Sequence, residues 1–406
     1  MTANGSKGTL SGLKVVDLSR VLGGPFCTQW FGDLGADVIK VEPPQGDETR
    51  DWGPPFDDDG TASYFLGVNR SKSGISVDIS TRQGREIILK LLDEADVLIE
   101  NFRTGTLEKW DLGYETVLKQ KFPKLVHCRI TGFGADGPLG SFPGYDAVVQ
   151  AMAGWMSVNG TPDSGPTRLG IAMVDMGTGM AAAIAIMSAL YERAASGEGQ
   201  FVEVSLFDTA LSLLFPHGSN YFLSGKRPQP TGNAHPNLAP YEAFKTGTCD
   251  IFLGAGNDGQ FAKLCDVLKR PELAQDPRFI TNADRNVNKV ELKQELEALL
   301  AAHDGEEIFA DLMRKGVPAG PVLGIPEVLA HPHTAHRDMI VEIGAYKGMG
   351  NPAKYSRTPS RPTKPPPRFG EHTRDVLREL GYSDADIDTL LRESIVSEPR
   401  AAKAAE

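Results

Sequence analysis

Asp175 is the residue whose surroundings most suggest chemistry. It stands in Gly-Ile-Ala-Met-Val-Asp-Met-Gly-Thr-Gly, residues 170–179, at the end of an apolar, strand-like run and the start of an alanine-rich stretch. An aspartate at such a junction is by default a helix N-cap. Two features point further. Gly177 and Gly179 are poor helix formers, which suggests that something approaches the backbone closely there. A carboxylate at a helix N-terminus is also kept ionised by the helix dipole, as a nucleophile requires. The N–H groups near Gly177 and Gly179 would then be placed to stabilise an oxyanion. A second cluster, Gly144-Tyr145-Asp146, carries a phenol and a carboxylate. His127, the nearest histidine, lies inside an apolar strand pattern and reads as core.

Other chemistries lack their signatures. The chain has no G-x-G-x-x-G after its first strand, where Val21-Leu22-Gly23-Gly24-Pro25 stands instead, and no phosphate-binding P-loop. That disfavours a nicotinamide oxidoreductase. Cys27, Cys128, Cys249 and Cys265 have no metal-binding spacing and no disulfide framework. His331 to His336 has no acidic partner at fixed spacing, so no metal is expected. Forty-two basic against fifty-three acidic residues give a net charge of −11, so neither nucleic acid nor an anionic membrane is an expected partner. Ile171 to Leu190 is apolar enough to resemble a membrane span, but Asp175 and its glycines make it a buried helix. The N-terminus has no apolar signal region, and a cytoplasmic enzyme is expected.

These residues need elements to position them. At 406 residues the chain is long enough for two or three domains at roughly 150 residues each. Up to about residue 130, strand patterns (LKVVDLS, DVIKVEPP, GISVDIS, DVLIENF, KLVHCRITG) alternate with helical ones. That alternation predicts an α/β, Rossmann-like large domain with a mostly parallel sheet covered on both faces. A ligand would bind beyond the carboxyl ends of its strands, at Arg20 to Gly24, Glu42 to Pro44, Asn101 to Arg103 and Thr131 to Gly137. A small-residue helix is expected over Gly177 to Arg193. The expected layout is a large domain over 1–210, a linker over 211–240 and a smaller α+β domain over 241–325. That smaller domain has helical patterns at Gln260 to Lys269 and Lys289 to Ala302. Residues 326–406 form a Pro-rich return linker and a C-terminal segment that completes the large domain.

From about Leu10 to Val396 the chain resembles the family III CoA-transferases. The resemblance rests on the order and spacing of GLKVVDLSRVLGGPFCTQWFGDLGADVIKVE, VNRSKSGISVD, DVLIENFRTGTLEKWDLGY, ITGFGADGP, PGYDAVVQAMAGWM, GIAMVDMGTG, GNAHPNLAPYEAF and GVPAGPV. It implies that Asp175 is the catalytic aspartate, attacking an acyl-CoA to form a mixed anhydride and then an aspartyl-CoA thioester. It implies coenzyme A as the bound cosubstrate, with contacts at Val21, Leu22, Val77, Asn101, Phe102, Thr106 and Lys109, and an interlocked homodimer. The family's basic residue in the second-strand loop is replaced by Pro43, so Arg50, Arg70, Lys72 or Arg103 are the expected phosphate ligands. A formyl-CoA:oxalate-type enzyme has a glycine-rich lid where this chain has GNAHPNLAP. That loop, with GPTRLGIAMVD, resembles the succinyl-CoA:dicarboxylate transferases instead. A dicarboxylate needs a cation, for which Arg168 and His235 are candidates, with Asp146 beside the substrate. An α-methylacyl-CoA racemase shares the fold and the aspartate but uses a histidine where Tyr145 stands. A tyrosine is a poor base at neutral pH, which leaves Tyr145 and Gly177 as expected assistants of transfer rather than racemisation.

Overall fold

The computed structural model describes residues 8–399. They divide into two compact units. The first takes in everything described up to Ala153, Gly170–Leu213 and everything from His333 onward; the second takes in Gly154–Leu169 and Leu214–Pro332. Drawn from the sequence alone, the first boundary falls at 210 and the segment 211–240 stands apart as a linker. In the structure that segment belongs mostly to the second unit, and Gly154–Leu169 joins it from within the large domain's stretch of sequence.

Seven strands form the sheet of the first unit: β1 (Lys14–Asp17), β2 (Asp37–Glu42), β3 (Ser73–Val77), β4 (Val97–Glu100), β5 (Val126–Thr131), β6 (Phe201–Ser205) and the short β12 (Val396–Ser397). Their order is β12-β3-β2-β1-β4-β5-β6. All pair in parallel except β12, which closes the β3 edge antiparallel, with Val396 opposite Val77; β10 (Ile340–Ile343) and β11 (Tyr346–Met349) form a separate antiparallel pair. The order reverses between β1 and β4, so the loops leaving these two strands part from one another and open a crevice.

Local chemistry explains the covering helices. Thr81 caps the Arg82–Leu92 helix by accepting the Gly84 N–H at 3.0 Å. That helix buries Ile87, Ile88, Leu91 and Leu92, the apolar stripe visible in the sequence. The C-terminal helices Thr373–Glu379 and Asp384–Arg392 add Val376, Leu377, Ile387 and Leu390 to the same core. The Met173–Ser196 helix is half-exposed rather than wholly buried, with Ile184 and Tyr191 facing outward at 69% and 85% exposure. It begins four residues earlier than the glycines suggest.

The second unit is built on an antiparallel sheet ordered β7 (Tyr241–Lys245), β8 (Asp250–Gly254), β9 (Ala319–Pro321). Helices Asp258–Val267, Lys289–Leu300 and Gly305–Arg314 pack around Phe244, Leu253, Phe261, Leu296 and Leu312. The third of these helices is absent from the sequence-based reading because Gly305 looks like a breaker. Asp304 starts it regardless, accepting the N–H groups of Glu306 and Glu307.

The ends of the parallel strands are pinned by buried ion pairs. Arg70, 1% exposed, makes a fork to Asp33 at 2.6 and 3.0 Å. Lys72 donates to Asp17, Asn69 and the Pro25 carbonyl, while Lys40 donates to Asp47 and the Ser19 carbonyl. Arg50 makes a fork to Glu42 at 2.6 and 2.7 Å. Removing one partner of such a pair strands a buried charge. Arg70→Ala should therefore destabilise the first unit by about 3–5 kcal/mol, and Asp33→Leu/Arg70→Met by clearly less. Chemical denaturation of the three proteins tests this ordering.

Candidate active site

The helix that carries Asp175 starts without a cap of its own. Its N-cap residue, Ala172, has no side chain that can bond, and Asp175 lies inside the first turn rather than at the cap. A distant carboxylate caps it instead. Asp146 is 7% exposed, and its Oδ2 accepts the N–H groups of Val174 at 2.8 Å and Asp175 at 3.3 Å. Its other oxygen accepts from Gln150 at 2.6 Å. Asp146 thus anchors the helix dipole beside the candidate nucleophile.

Two glycine crossings bring loops to this point. A side chain at Gly179 would meet the Gly23 carbonyl at 2.5 Å, and one at Gly23 would meet the Asp175 carbonyl at 3.2 Å. The loop that follows β1 can therefore lie directly against the first turn of the Asp175 helix. Gly132 and Gly144 meet in the same way, carrying Tyr145 in from the β5 side. The loop after β1 is itself strained: Val21 has φ +69°, a left-handed conformation that is rare for a β-branched residue. The Asn101 carboxamide holds it, accepting the Arg20 N–H at 2.9 Å and donating to the Arg20 carbonyl at 2.8 Å.

The result is a cavity of about 410 Å³ at the switch point between β1 and β4, lined by Asp175, Tyr145, Val21, Leu22, Asn101 and Phe102 among others. A larger hollow of about 820 Å³ lies at the opposite strand ends, beside Lys14 and Asp37. The smaller cavity is the site, because it sits where a parallel sheet binds ligands and contains the perturbed carboxyl. Burial, and next the Asp146 charge, push Asp175 up to about 7. The Tyr64 phenol is raised by burial and, less, by the Asp175 and Asp146 charges.

Several expected site residues take other roles. Gly177 and Gly179 offer no oxyanion donors, since Met176 already bonds back to the Ala172 carbonyl and the N–H groups beyond it belong to the helix ladder. Gly177 instead gives clearance to Leu213, which would lie 3.1 Å from a Cβ there. Val77 is fully buried in the sheet core. Asn101 lines the cavity and also clamps the Arg20 backbone. Thr106 and the exposed Lys109 lie on the short Thr106–Lys109 helix, outside the cavity lining. Arg168 and His235 belong to the second unit. Of the expected phosphate ligands, Arg50, Arg70 and Lys72 are spent in buried pairs, and Arg103 lines the cavity. Thr104 and Tyr64 emerge only from the fold, whereas Arg20, expected at a ligand-binding strand end, lines the cavity. No group of three or more His, Cys, Asp or Glu among the described residues could hold a metal ion.

Residues 10–373 match the sequence profile of CoA-transferase family III. The chain belongs to that family. It is 42% identical to succinate–glutarate CoA-transferase of Agrobacterium fabrum, over 92% of this chain and 96% of that one. It is 38% identical to succinyl-CoA:glutarate CoA-transferase of Mus musculus, over 96% and 90%. Among solved structures, a CAIB/BAIF family protein from Brucella suis superposes with a TM-score of 0.83 at 43% identity, covering 92% of this chain and all of that one. A family III fold thus places a carboxyl whose ionisation is poised near neutrality in the strand-end crevice.

The two causes of Asp175's elevation are separable. Asp146→Asn keeps an acceptor for the Val174 N–H but removes the charge, so Asp175 should titrate lower while burial still holds it above an ordinary aspartate. Asp146→Ala should in addition cost about 0.5–2 kcal/mol through the lost cap. Carboxyl ¹³C titration, with Asp175→Asn for assignment, reads the shift; an unmoved Asp175 signal in Asp146→Asn would contradict this account.

Proposed function

We propose that the protein moves CoA from succinyl-CoA to a small dicarboxylic acid through covalent intermediates on Asp175. The observation that carries this reading is the Asp175 carboxyl itself, half-buried in the strand-end cavity with its ionisation raised to about 7. A carboxylate of that basicity is a stronger nucleophile than a solvated one, and it is still available at neutral pH. The names of the two curated relatives support the donor and acceptor classes.

The electron pairs close without an added reactant. An Asp175 oxygen attacks the thioester carbonyl and expels CoA thiolate, leaving a mixed anhydride. The thiolate attacks the Asp175 carbonyl carbon of that anhydride, releasing the donor acid as its carboxylate and leaving an aspartyl-CoA thioester. The acceptor carboxylate then expels the thiolate to form a second anhydride. Thiolate attack on the acceptor carbonyl releases the new acyl-CoA and restores the Asp175 carboxylate. Each tetrahedral oxyanion needs a donor. The Gly23 N–H is suited to this, because it precedes the first internal bond of the Gly23–Asp33 helix (Phe26 N–H to the Leu22 carbonyl, 2.8 Å) and Gly23 lines the cavity. Tyr145, 53% exposed on the cavity wall, would orient the acyl group. We also assign the protein to an interlocked homodimer, a reading supported by the uncovered apolar residues Ile184, Met187 and Tyr191 on the long helix.

Purified protein with succinyl-CoA should convert glutarate-sized diacids to their CoA esters. Because only ionised Asp175 attacks, kcat/KM should fall roughly tenfold per pH unit below about pH 7. A profile flat from pH 5 to 8 would sink the assignment of Asp175 as the free nucleophile.

A further inference from the structure

We propose that Arg20 seats the distal carboxylate of the dicarboxylic acyl group, and so sets the preference for diacids over monoacids. This inference rests on the CoA-transfer reading above.

Arg20 lines the same cavity as Asp175. Its Nε is buried and has no hydrogen-bond partner among the described residues. An unpaired donor of a permanent cation is costly to bury, and an incoming anion relieves that cost. The other cations near the strand ends are unavailable, since Lys40, Arg50, Arg70 and Lys72 are each committed to a buried carboxylate. Arg20 is also held in place through its backbone, clamped on both sides by Asn101 and followed by the left-handed Val21. That rigid bend fixes where the guanidinium can reach.

Two anions of the substrate could meet it, a CoA phosphate or the acyl group's far carboxylate. Arg20 lies three residues before Gly23, whose Cβ position is 3.2 Å from the Asp175 carbonyl oxygen, so the chain between them spans at most about 11 Å. The acyl carbonyl must sit against Asp175, and in succinyl or glutaryl esters the second carboxylate follows within a few bonds. The phosphates lie at the far end of the pantetheine arm. Arg103, exposed beside Phe102 in the same lining, remains for those. Thr104, whose buried Oγ1 also lacks a partner, completes a polar wall on the β4 side.

The test compares Arg20→Met and Arg20→Lys with wild type on succinyl-CoA and butyryl-CoA, which have the same number of acyl carbons. Arg20→Met should lose about a hundredfold or more in kcat/KM on succinyl-CoA, with at most a few-fold loss on butyryl-CoA and an unchanged Kd for free CoA. Arg20→Lys should recover part of the loss on succinyl-CoA alone. Equal losses on both esters, or weakened binding of free CoA, would overturn the proposal in favour of phosphate binding. If wild type transfers no CoA at all, the transferase reading fails. Arg20 is then judged by equilibrium binding: a wild type that holds succinyl-CoA no better than butyryl-CoA, or an Arg20→Met that keeps the difference, would refute the clamp.

Discussion

A single buried carboxylate organises the site. Asp146 accepts the first N–H groups of the helix bearing Asp175 and stands in the first turn of its own short helix, so two positive helix ends meet on one anion. The same charge that fixes the Asp175 backbone opposes ionisation of the Asp175 side chain. Stability and reactivity are thereby coupled. A cap worth about 1 kcal/mol also helps to keep the Asp175 carboxyl basic.

Around this anchor the fold separates its charges by task. The strand-end cations Lys40, Arg50, Arg70 and Lys72 hold the loops in register through buried carboxylates. Burial lowers Lys72 to about 8, with Asp17 acting against that fall. Charges used in this way cannot meet a substrate. What remains at the crevice is Arg20 and Arg103 beside Asp175 and Glu48, the charges that the proposed mechanism would use to receive an anionic thioester. One left-handed residue, Val21, stands at the same place and is held there by Asn101.

Much of this was legible in the sequence. The parallel sheet followed from apolar runs alternating with amphipathic stretches; Asp175 stood out as a carboxylate set among glycines before an alanine-rich helix, and the family resemblance is what gave it an expected catalytic role. What local pattern could not show was how side chains are spent. Asn101 looked like a nucleotide ligand, and it also bonds a backbone; Arg70 and Lys72 looked like phosphate ligands and are buried pairs; Gly177 looked like an oxyanion donor and is a packing space. Each is decided by contacts between residues tens of positions apart, such as Asp33 with Arg70 or Asp146 with Val174. Arg20 was visible only as the end of a strand, because its significance lies in a missing partner. The segment Gly154–Leu169 joins the second unit through equally distant contacts, for example Gly232 N–H to the Gly160 carbonyl.

The central claim is that Asp175 becomes covalently acylated, and intact-protein mass spectrometry tests it most directly. Wild-type protein incubated with succinyl-CoA and no acceptor should carry a CoA-sized adduct that hydroxylamine converts to a hydroxamate, mapped to the peptide containing Asp175 and absent from Asp175→Asn. An adduct that persists in Asp175→Asn, or transfer to an acceptor that proceeds in that variant at the wild-type rate, would contradict the account.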